Sequence, residues 1–229
     1  MTPAGTACPA KNRRALRISL WVLAALILVV LGAAFWYTNA LVSQMVWVHI
    51  PPSKATPADL GLAAEDVYFR TTDGLRISAW FVPAKPAAAQ AGRVRGTVIL
   101  VHGWGGDLGT KGDLLGHAQF LSENGYNALP LDLRAHGESD GKKISFGLDE
   151  ARDVLAAIQY LRARPDTAGG NIALMGFSMG ASTVIMAAAQ SKDVACVIAN
   201  SGYAGQVAGT QHGEYVRRIL NFLRQHMTA

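Results

Sequence analysis

One short segment limits the choice of fold more than any other. Residues 174–182 read LMGFSMGAS and place Ser178 between two glycines directly after an apolar run. The pattern G-x-S-x-G is typical of a sharp turn from a strand into a helix that presents a nucleophilic hydroxyl. Gly176 and Gly180 leave room for the strand and the helix to approach each other closely. The segment therefore predicts an α/β fold with Ser178 as a nucleophile, the alternative being a serine in an ordinary glycine turn.

The chain from residue 97 onward alternates between strand-like and helix-like segments. Apolar runs such as TVILVHG and DVACVIANSG are separated by stretches with apolar residues at helical spacing, such as LDEARDVLAAIQYLRARP. Continuous apolar strands joined by helices favour a mostly parallel sheet flanked by helices. Before them, DVYFRTTDGLRISAWFVPA predicts a β-hairpin around a polar TTDG turn. Functional groups of such sheets gather at the carboxyl ends of the strands.

The N-terminal part of the chain has a different character. Between Leu16 and Tyr37 the only charged residue is Arg17, and a helix of this length spans about 33 Å, enough to cross a bilayer. A buried core helix would show a polar stripe, and a cleaved signal peptide would have a shorter apolar region. We therefore interpret residues 16–38 as a transmembrane signal anchor that precedes the α/β domain.

The distribution of charge around this span predicts its orientation and the domain boundaries. Only Lys54 adds a positive charge between the span and Arg70, whereas the basic residues before or at its start are Lys11, Arg13, Arg14 and Arg17. The positive-inside rule then puts the N-terminus in the cytoplasm and the domain outside, as a single-pass membrane protein. We expect a cytoplasmic tail (1–15), the anchor (16–38), a juxtamembrane connector (39–64) and one domain (65–229).

Charge and cysteine content exclude other classes of protein. The net charge of +5 comes largely from the anchor flank, and no basic stripe with interleaved aromatic residues follows, so nucleic-acid binding is not expected. Cys8 and Cys196 fall on opposite sides of the membrane in this topology and cannot form a disulfide. Cys196 lies in an apolar run and is expected to be a small buried side chain.

Two further motifs follow predicted strands. VHGWGGD, residues 101–107, could aim backbone N–H groups at the oxyanion of an acyl-transfer intermediate, or it could be a plain glycine-rich turn. DLRAHGESDG, residues 132–141, could be mistaken for a catalytic or metal cluster. Its spacing favours a structural loop held by an Asp–Arg pair and side-chain hydrogen bonds.

In this order the three motifs resemble the α/β-hydrolase family, in particular its membrane-anchored esterase-like and serine-aminopeptidase-like members, over about residues 65–201. The resemblance implies Ser178 as nucleophile and the backbone N–H groups of Trp104 and Met179 as oxyanion hole, shaped by His102 and Gly103. It implies an acyl-enzyme formed from an ester or another small acyl or lipid-like substrate, without metal or organic cofactor. An aminopeptidase or amidase remains an alternative.

The end of the chain departs from the family. The family places its acid and its histidine after later strands, but here VACVIANSGYA leads almost directly to HGEYVRRILNFLRQHMTA, which resembles the family's terminal helix. We expect the segment that carries both residues to be missing, so that the domain is incomplete on its C-terminal side. Tyr203 falls near the histidine position, and His212 is a weak candidate base. For the acid, Asp149 and Asp193 are available, but neither is at a family position. The second hypothesis for the function is therefore a truncated, non-catalytic pseudo-hydrolase or binding module.

Overall fold

The computed structural model describes residues 11–86, 94–105, 109–200 and 210–227, without the side chains of 11–13 and 210–216. The chain divides into two compact units, Met1–Val46 and Trp47–Ala229. The first unit contains one helix, α1 (Lys11–Val46). This helix is long and apolar enough to cross a membrane, and its large apolar side chains, such as Trp21 and Leu28, are exposed.

The second unit is built on a six-stranded sheet. Its strands are β1 (Glu65–Arg70), β2 (Arg76–Phe81), β3 (Thr97–Val101), β4 (Asn127–Leu131), β5 (Ile172–Phe177) and β6 (Val194–Asn200). They are arranged in the order β1-β2-β4-β3-β5-β6. The pairs of β3 with β4, β3 with β5 and β5 with β6 are parallel, whereas β2 pairs antiparallel with β1 and β4. The predicted hairpin and the predicted mostly parallel sheet are both confirmed.

Helices cover both faces of this sheet. They are α2 (Leu115–Glu123), α3 (Ala151–Ala163), α4 (Met179–Ala188) and α5 (Thr210–His226). Apolar residues of α3 and α4 belong to one buried cluster with the sheet, and those of α2 and α5 belong to a second cluster. Because both faces are covered, every residue of β3, β4 and β5 is buried. This burial explains why these strands are continuous apolar runs in the sequence.

The segment between α1 and β1 differs from the expected connector over residues 39–64. Helix α1 includes the first residues of the expected connector, up to Val46, and the remaining residues of the connector belong to the second unit. The N–H of Ile50 donates to the carbonyl of Ala135 at 2.9 Å, and the N–H of Gly137 donates to the carbonyl of Ile50 at 2.8 Å. Leu62 is buried. Such backbone pairing leaves no periodic signal in the sequence, which is why it was not predicted.

Strand β6 is the last strand of the described sheet and is less covered than its neighbour. Its residues are half-buried or exposed, except for Cys196, which is buried. Burial raises the pKa of the Cys196 thiol to about 11, as a small buried side chain would require. Cys8 lies outside the described residues.

Candidate active site

Ser178 lies at a strained turn between β5 and α4. Its backbone has φ +50° and ψ −116°, a conformation that residues other than glycine rarely adopt. The side chain is exposed, and the N–H of Ser178 donates to the carbonyl of Asn200 on β6 at 2.8 Å. Helix α4 begins at Met179, so the first-turn N–H groups, which have no acceptor within their own helix, lie beside the hydroxyl. The turn therefore presents the hydroxyl at the positive end of a helix.

The two glycines of the turn are required by close backbone approach. A Cβ atom on Gly176 would overlap the carbonyl of Gly180, and a Cβ atom on Gly180 would overlap the carbonyl oxygens of Val101 and His102. The start of α4 thus packs directly on the end of β3. This contact brings the serine motif and the VHGWGG motif together, although they lie far apart in sequence.

His102 is a structural residue at this junction. Its ring is fully buried; Nε2 accepts a hydrogen bond from the N–H of Leu133 at 2.9 Å, so Nδ1 carries the proton and donates to the carbonyl of Gly103 at 2.6 Å. Burial lowers the pKa of His102 to about 4. The imidazole is therefore neutral and both nitrogens are occupied, which excludes His102 as a base for Ser178. It links the end of β3 to the loop after β4.

The third motif is held by buried ion pairs, and the acids that bind its arginine lie outside the motif. Asp132 is fully buried and accepts hydrogen bonds from the N–H groups of Lys111 (2.8 Å) and Glu138 (3.0 Å), with the ammonium of Lys111 at 3.2 Å. Arg134 instead binds Asp153 and Asp73, each with one contact at 2.8 Å. A buried charge needs a partner with good geometry. Lys111 is this partner for Asp132, and Asp153 is this partner for Arg134.

His136 packs against His102, with 4.6 Å between the ring centroids. Its Nδ1 donates to the carbonyl of Arg134 at 2.8 Å, and its buried Nε2 has no hydrogen-bond partner among the described residues. Burial, and to a smaller degree the neighbouring His102, lowers the pKa of His136 to about 4. Protonation would place an unpaired charge inside the protein, so His136 stays neutral at physiological pH.

Acid is expected to destabilise the protein through His136. Because its pKa is about 6.5 when unfolded and about 4 when folded, the stability it contributes is present above pH 6.5 and is lost as the pH falls towards 4, by about 3 kcal/mol. The pKa of the buried His102 is also lowered to about 4, which acts in the same direction, whereas burial raises the pKa of Asp132 and Asp153, which acts in the opposite direction. The stability of the wild type is therefore compared with that of the variant His136→Asn, whose side-chain amide can keep the hydrogen bond to the carbonyl of Arg134.

Urea denaturation of both proteins at pH 7, 6, 5 and 4 measures this difference. Between pH 7 and 4 the wild type should lose about 3 kcal/mol more unfolding free energy than His136→Asn. Parallel curves for the two proteins would show that His136 is not the titrating group.

Among the side chains that the structure describes, none of the bases or acids expected from the sequence is brought to Ser178. Tyr203 lies outside the described residues, and the side chain of His212, on α5, is also not described. Asp149 pairs with Arg152 at 3.4 Å and Asp193 with Arg162 at 3.1 Å. Of the remaining histidines, His49 is bonded to the carbonyl of Gly137 at 3.0 Å, and the ring of His117 packs against Phe177 at 4.7 Å.

The C-terminal end of α5 lies at the edge of the sheet where the parallel strands begin. Met227, just after α5, contacts Gly96 at the start of β3. Ile219 and Leu223 of α5 are buried with the second cluster of the sheet.

Two residues near the edge of the sheet that carries Ser178, Phe146 and Glu150, were missed from the sequence. Trp104 is 37% exposed, and its ring lies 6.1 Å from that of Phe146. Glu150 is fully buried below Phe146 and binds the segment that carries it. The acidic start of α3 was visible in LDEARD, but nothing in the sequence indicated that one of its carboxylates is buried.

Comparison with known proteins gives a consistent picture. The sequence profile of the X-Pro dipeptidyl-peptidase family (S15 family) matches residues 84–227. The esterase Pf2001 of Pyrococcus furiosus is 27% identical with a TM-score of 0.58, over 79% of this chain and 67% of that chain. The α/β hydrolase GrgF from Penicillium is 28% identical with a TM-score of 0.52, over 59% and 45%.

A sequence relative extends the comparison to bacteria. The protein YfhR of Salmonella typhi is 35% identical over 154 residues, which are 66% of this chain and 47% of YfhR. The chain spans about half the length of the curated relatives it matches.

Proposed function

Because the chain belongs to the X-Pro dipeptidyl-peptidase (S15) family and has the α/β-hydrolase fold of a known esterase, we propose that it cleaves esters through an acyl-enzyme on Ser178. The family and the fold support an esterase-like hydrolase. The covalent mechanism, the membrane anchor and the substrate class are the proposal.

The geometry of the serine turn carries this proposal. Ser178 has a strained φ of +50°, an exposed side chain and a helix that starts at the next residue. In the proposed reaction the Oγ atom attacks the ester carbonyl carbon and gives its proton to a base. The bond to the alcohol oxygen breaks, the alcohol leaves with that proton, and water then releases the acid. The N–H groups of Met179 and Trp104 would hold the oxyanion, each contributing about 3 kcal/mol.

His212 is the proposed base. Its place in the chain supports this assignment, since α5 is the element after β6 and the carbonyl of Asn200 in β6 accepts a hydrogen bond from the N–H of Ser178. Two of the described histidines are less suitable: His102 has both nitrogens bonded, and His136 is buried with its pKa lowered to about 4.

A second candidate function is a non-catalytic binding module. It is favoured by one observation: the ring nitrogens of His49, His102 and His136 bind backbone groups elsewhere in the chain instead of Ser178. If His212 does not take the proton, the serine has no strong base. The chain would then keep a hydrolase scaffold that can bind an ester but not turn it over.

The surroundings of the site support an ester over a peptide with a charged amino terminus. Phe146 and Leu148 are exposed side chains of the neighbouring loop, at 43% and 69% exposure. Glu150, which could bind an ammonium group, is buried and accepts three hydrogen bonds from the chain itself. Apolar contacts of this kind suit the acyl group of an ester.

Parallel assays of two chromogenic substrates test the proposal. The full chain in lipid nanodiscs is offered p-nitrophenyl butyrate and the X-Pro substrate Gly-Pro-p-nitroanilide, with Ser178→Ala as baseline. We expect serine-dependent release of nitrophenol and nitroaniline release at baseline. Preference for Gly-Pro-p-nitroanilide would replace the esterase assignment by a peptidase, and baseline rates for both would favour the binding module.

The anchor is the second part of the proposal. Helix α1 includes the whole span over residues 16–38, and the basic residues near its start are expected to keep the N-terminus in the cytoplasm. A reporter enzyme that works only outside the cytoplasm, fused after Ala229, should therefore be active. Changing Lys11, Arg13, Arg14 and Arg17 to glutamine in the same fusion should reduce its activity. Activity of a cytoplasm-specific reporter at Ala229 would reverse the proposed orientation.

A further inference from the structure

The loop after the third motif, residues 144–150, is held by one buried carboxylate; we call it the aromatic loop. Glu150 accepts hydrogen bonds from the N–H and the Oγ of Ser145 and from the N–H of Gly147, each at 2.7 Å. The Oγ of Ser145 also accepts a bond from the N–H of Asp149 at 2.7 Å. Hydrogen bonds to a carboxylate are about twice as strong as those between neutral groups. The loop therefore has one well-determined conformation.

This conformation is strained at Phe146. Its φ of +54° is one that bulky residues rarely adopt. The next residue, Gly147, has φ +112° and packs against Thr183 and Met186 on α4. Glycine or asparagine at position 146 would adopt this backbone with less strain. Backbone strain that the surrounding hydrogen bonds maintain is a reason to infer a function. Because glycine or asparagine would cost less at this position, the phenyl ring of Phe146 is the feature to explain.

The ring of Phe146 forms an incompletely covered pair with Trp104. The two ring centroids are 6.1 Å apart, yet Phe146 is 43% exposed and Trp104 is 37% exposed. Both adjoin the proposed site: Trp104 carries a proposed oxyanion N–H, and the aromatic loop packs on Thr183, whose hydroxyl donates to the carbonyl of Met179 at 2.9 Å. The two rings thus belong to segments that adjoin the groups proposed to act on the ester carbonyl.

We propose that Trp104 and Phe146 bind the acyl chain of the substrate and make the site prefer acyl groups longer than acetyl. The proposal rests on the proposed function, because it assumes that the ester carbonyl lies at Ser178. Each methylene group buried on the rings should strengthen binding about threefold to fourfold. Acetyl groups have no methylene group to bury on the rings and should bind weakly.

Equilibrium binding of short carboxylates tests the pair without requiring turnover. Acetate, butyrate and hexanoate are titrated against the full chain in nanodiscs by ligand-observed NMR, with empty nanodiscs as blank. Hexanoate should bind at least about tenfold more tightly than acetate. Equal affinities of acetate and hexanoate in the wild type would overturn the proposal.

Phe146→Gly is the sharpest variant, because it removes the ring and also relieves the backbone strain. It should weaken hexanoate binding about tenfold and leave acetate within about twofold. Phe146→Asn should give the same result, because asparagine also tolerates a positive φ. This variant replaces Phe146→Gly in the experiment if the glycine variant folds poorly. Tyr68→Ala is the matched control, since Tyr68 is a half-exposed aromatic residue on β1, at the other end of the sheet. Unchanged hexanoate affinity in both Phe146 variants would exclude the ring from the site.

The outcome separates this inference from the proposed function. Binding of a carboxylate needs no proton transfer, so chain-length preference lost in Phe146→Gly supports the aromatic pair even where no ester is hydrolysed. Conversely, ester hydrolysis by Ser178 with equal kcat/KM for acetate and hexanoate esters would leave the proposed function standing and refute the pair.

Discussion

The Ser178→Ala variant is expected to lower kcat/KM for p-nitrophenyl butyrate by at least about 10³-fold, and His212→Ala is expected to lower it as much. In a complete site, removal of the nucleophile or of the base costs on the order of 10⁶-fold in turnover, because the two act as one unit. The same reasoning predicts that the double variant is no slower than either single variant. Such non-additivity is a signature of one shared proton transfer.

The choice of controls makes this result specific to the two residues. His226→Ala changes an exposed histidine near the other end of α5 and should leave kcat/KM within about twofold. A fluorophosphonate probe should label the wild type on Ser178, and labelling should be lost in Ser178→Ala. Full activity in His212→Ala would exclude His212 as the base. Equal rates in the wild type and Ser178→Ala would leave only the binding module.

The elements around this site could be predicted because each has a local signal. The β-hairpin is marked by alternation around TTDG, and β5 and α4 by an apolar run on either side of Ser178. The glycines at 176 and 180 indicated a close approach, but not its partner. That Gly180 packs on the carbonyls of Val101 and His102 depends on the order of β3 and β5 in the sheet.

The interactions that could not be predicted connect distant parts of the chain. The spacing of the third motif predicted a loop held by an Asp–Arg pair. In the structure Arg134 binds Asp73 and Asp153, which lie 61 and 19 residues away. Local spacing cannot identify such partners, since Asp153 lies on α3 and Asp73 lies in the turn between β1 and β2. The same holds for the strained backbone of Phe146, which the sequence ISFGLDE does not reveal.

A single methyl group at position 180 is expected to destabilise the protein severely. The Cβ atom of Gly180→Ala would overlap two backbone carbonyls, those of Val101 and His102, and neither can rotate away as a side chain could. Val101 is paired on both sides, with Gly176 of β5 and Leu131 of β4. Relief of the overlap therefore requires α4 to move away from β3. Overpacking costs about 1–3 kcal/mol where side chains can adjust, so we expect a loss of at least about 3 kcal/mol here.

Gly116→Ala is the matched control for this substitution. Gly116 lies in α2, where an added Cβ atom would meet no other element of the fold within 4 Å, and alanine is favoured over glycine in a helix by up to about 1 kcal/mol. It should therefore leave the urea midpoint unchanged or raise it, whereas Gly180→Ala should lower it strongly or prevent folding. Equal midpoints for the wild type and Gly180→Ala would mean that the start of α4 does not pack on the end of β3. In that case the contact that holds the serine turn beside the VHGWGG motif, and therefore near the proposed oxyanion N–H of Trp104, would also be absent.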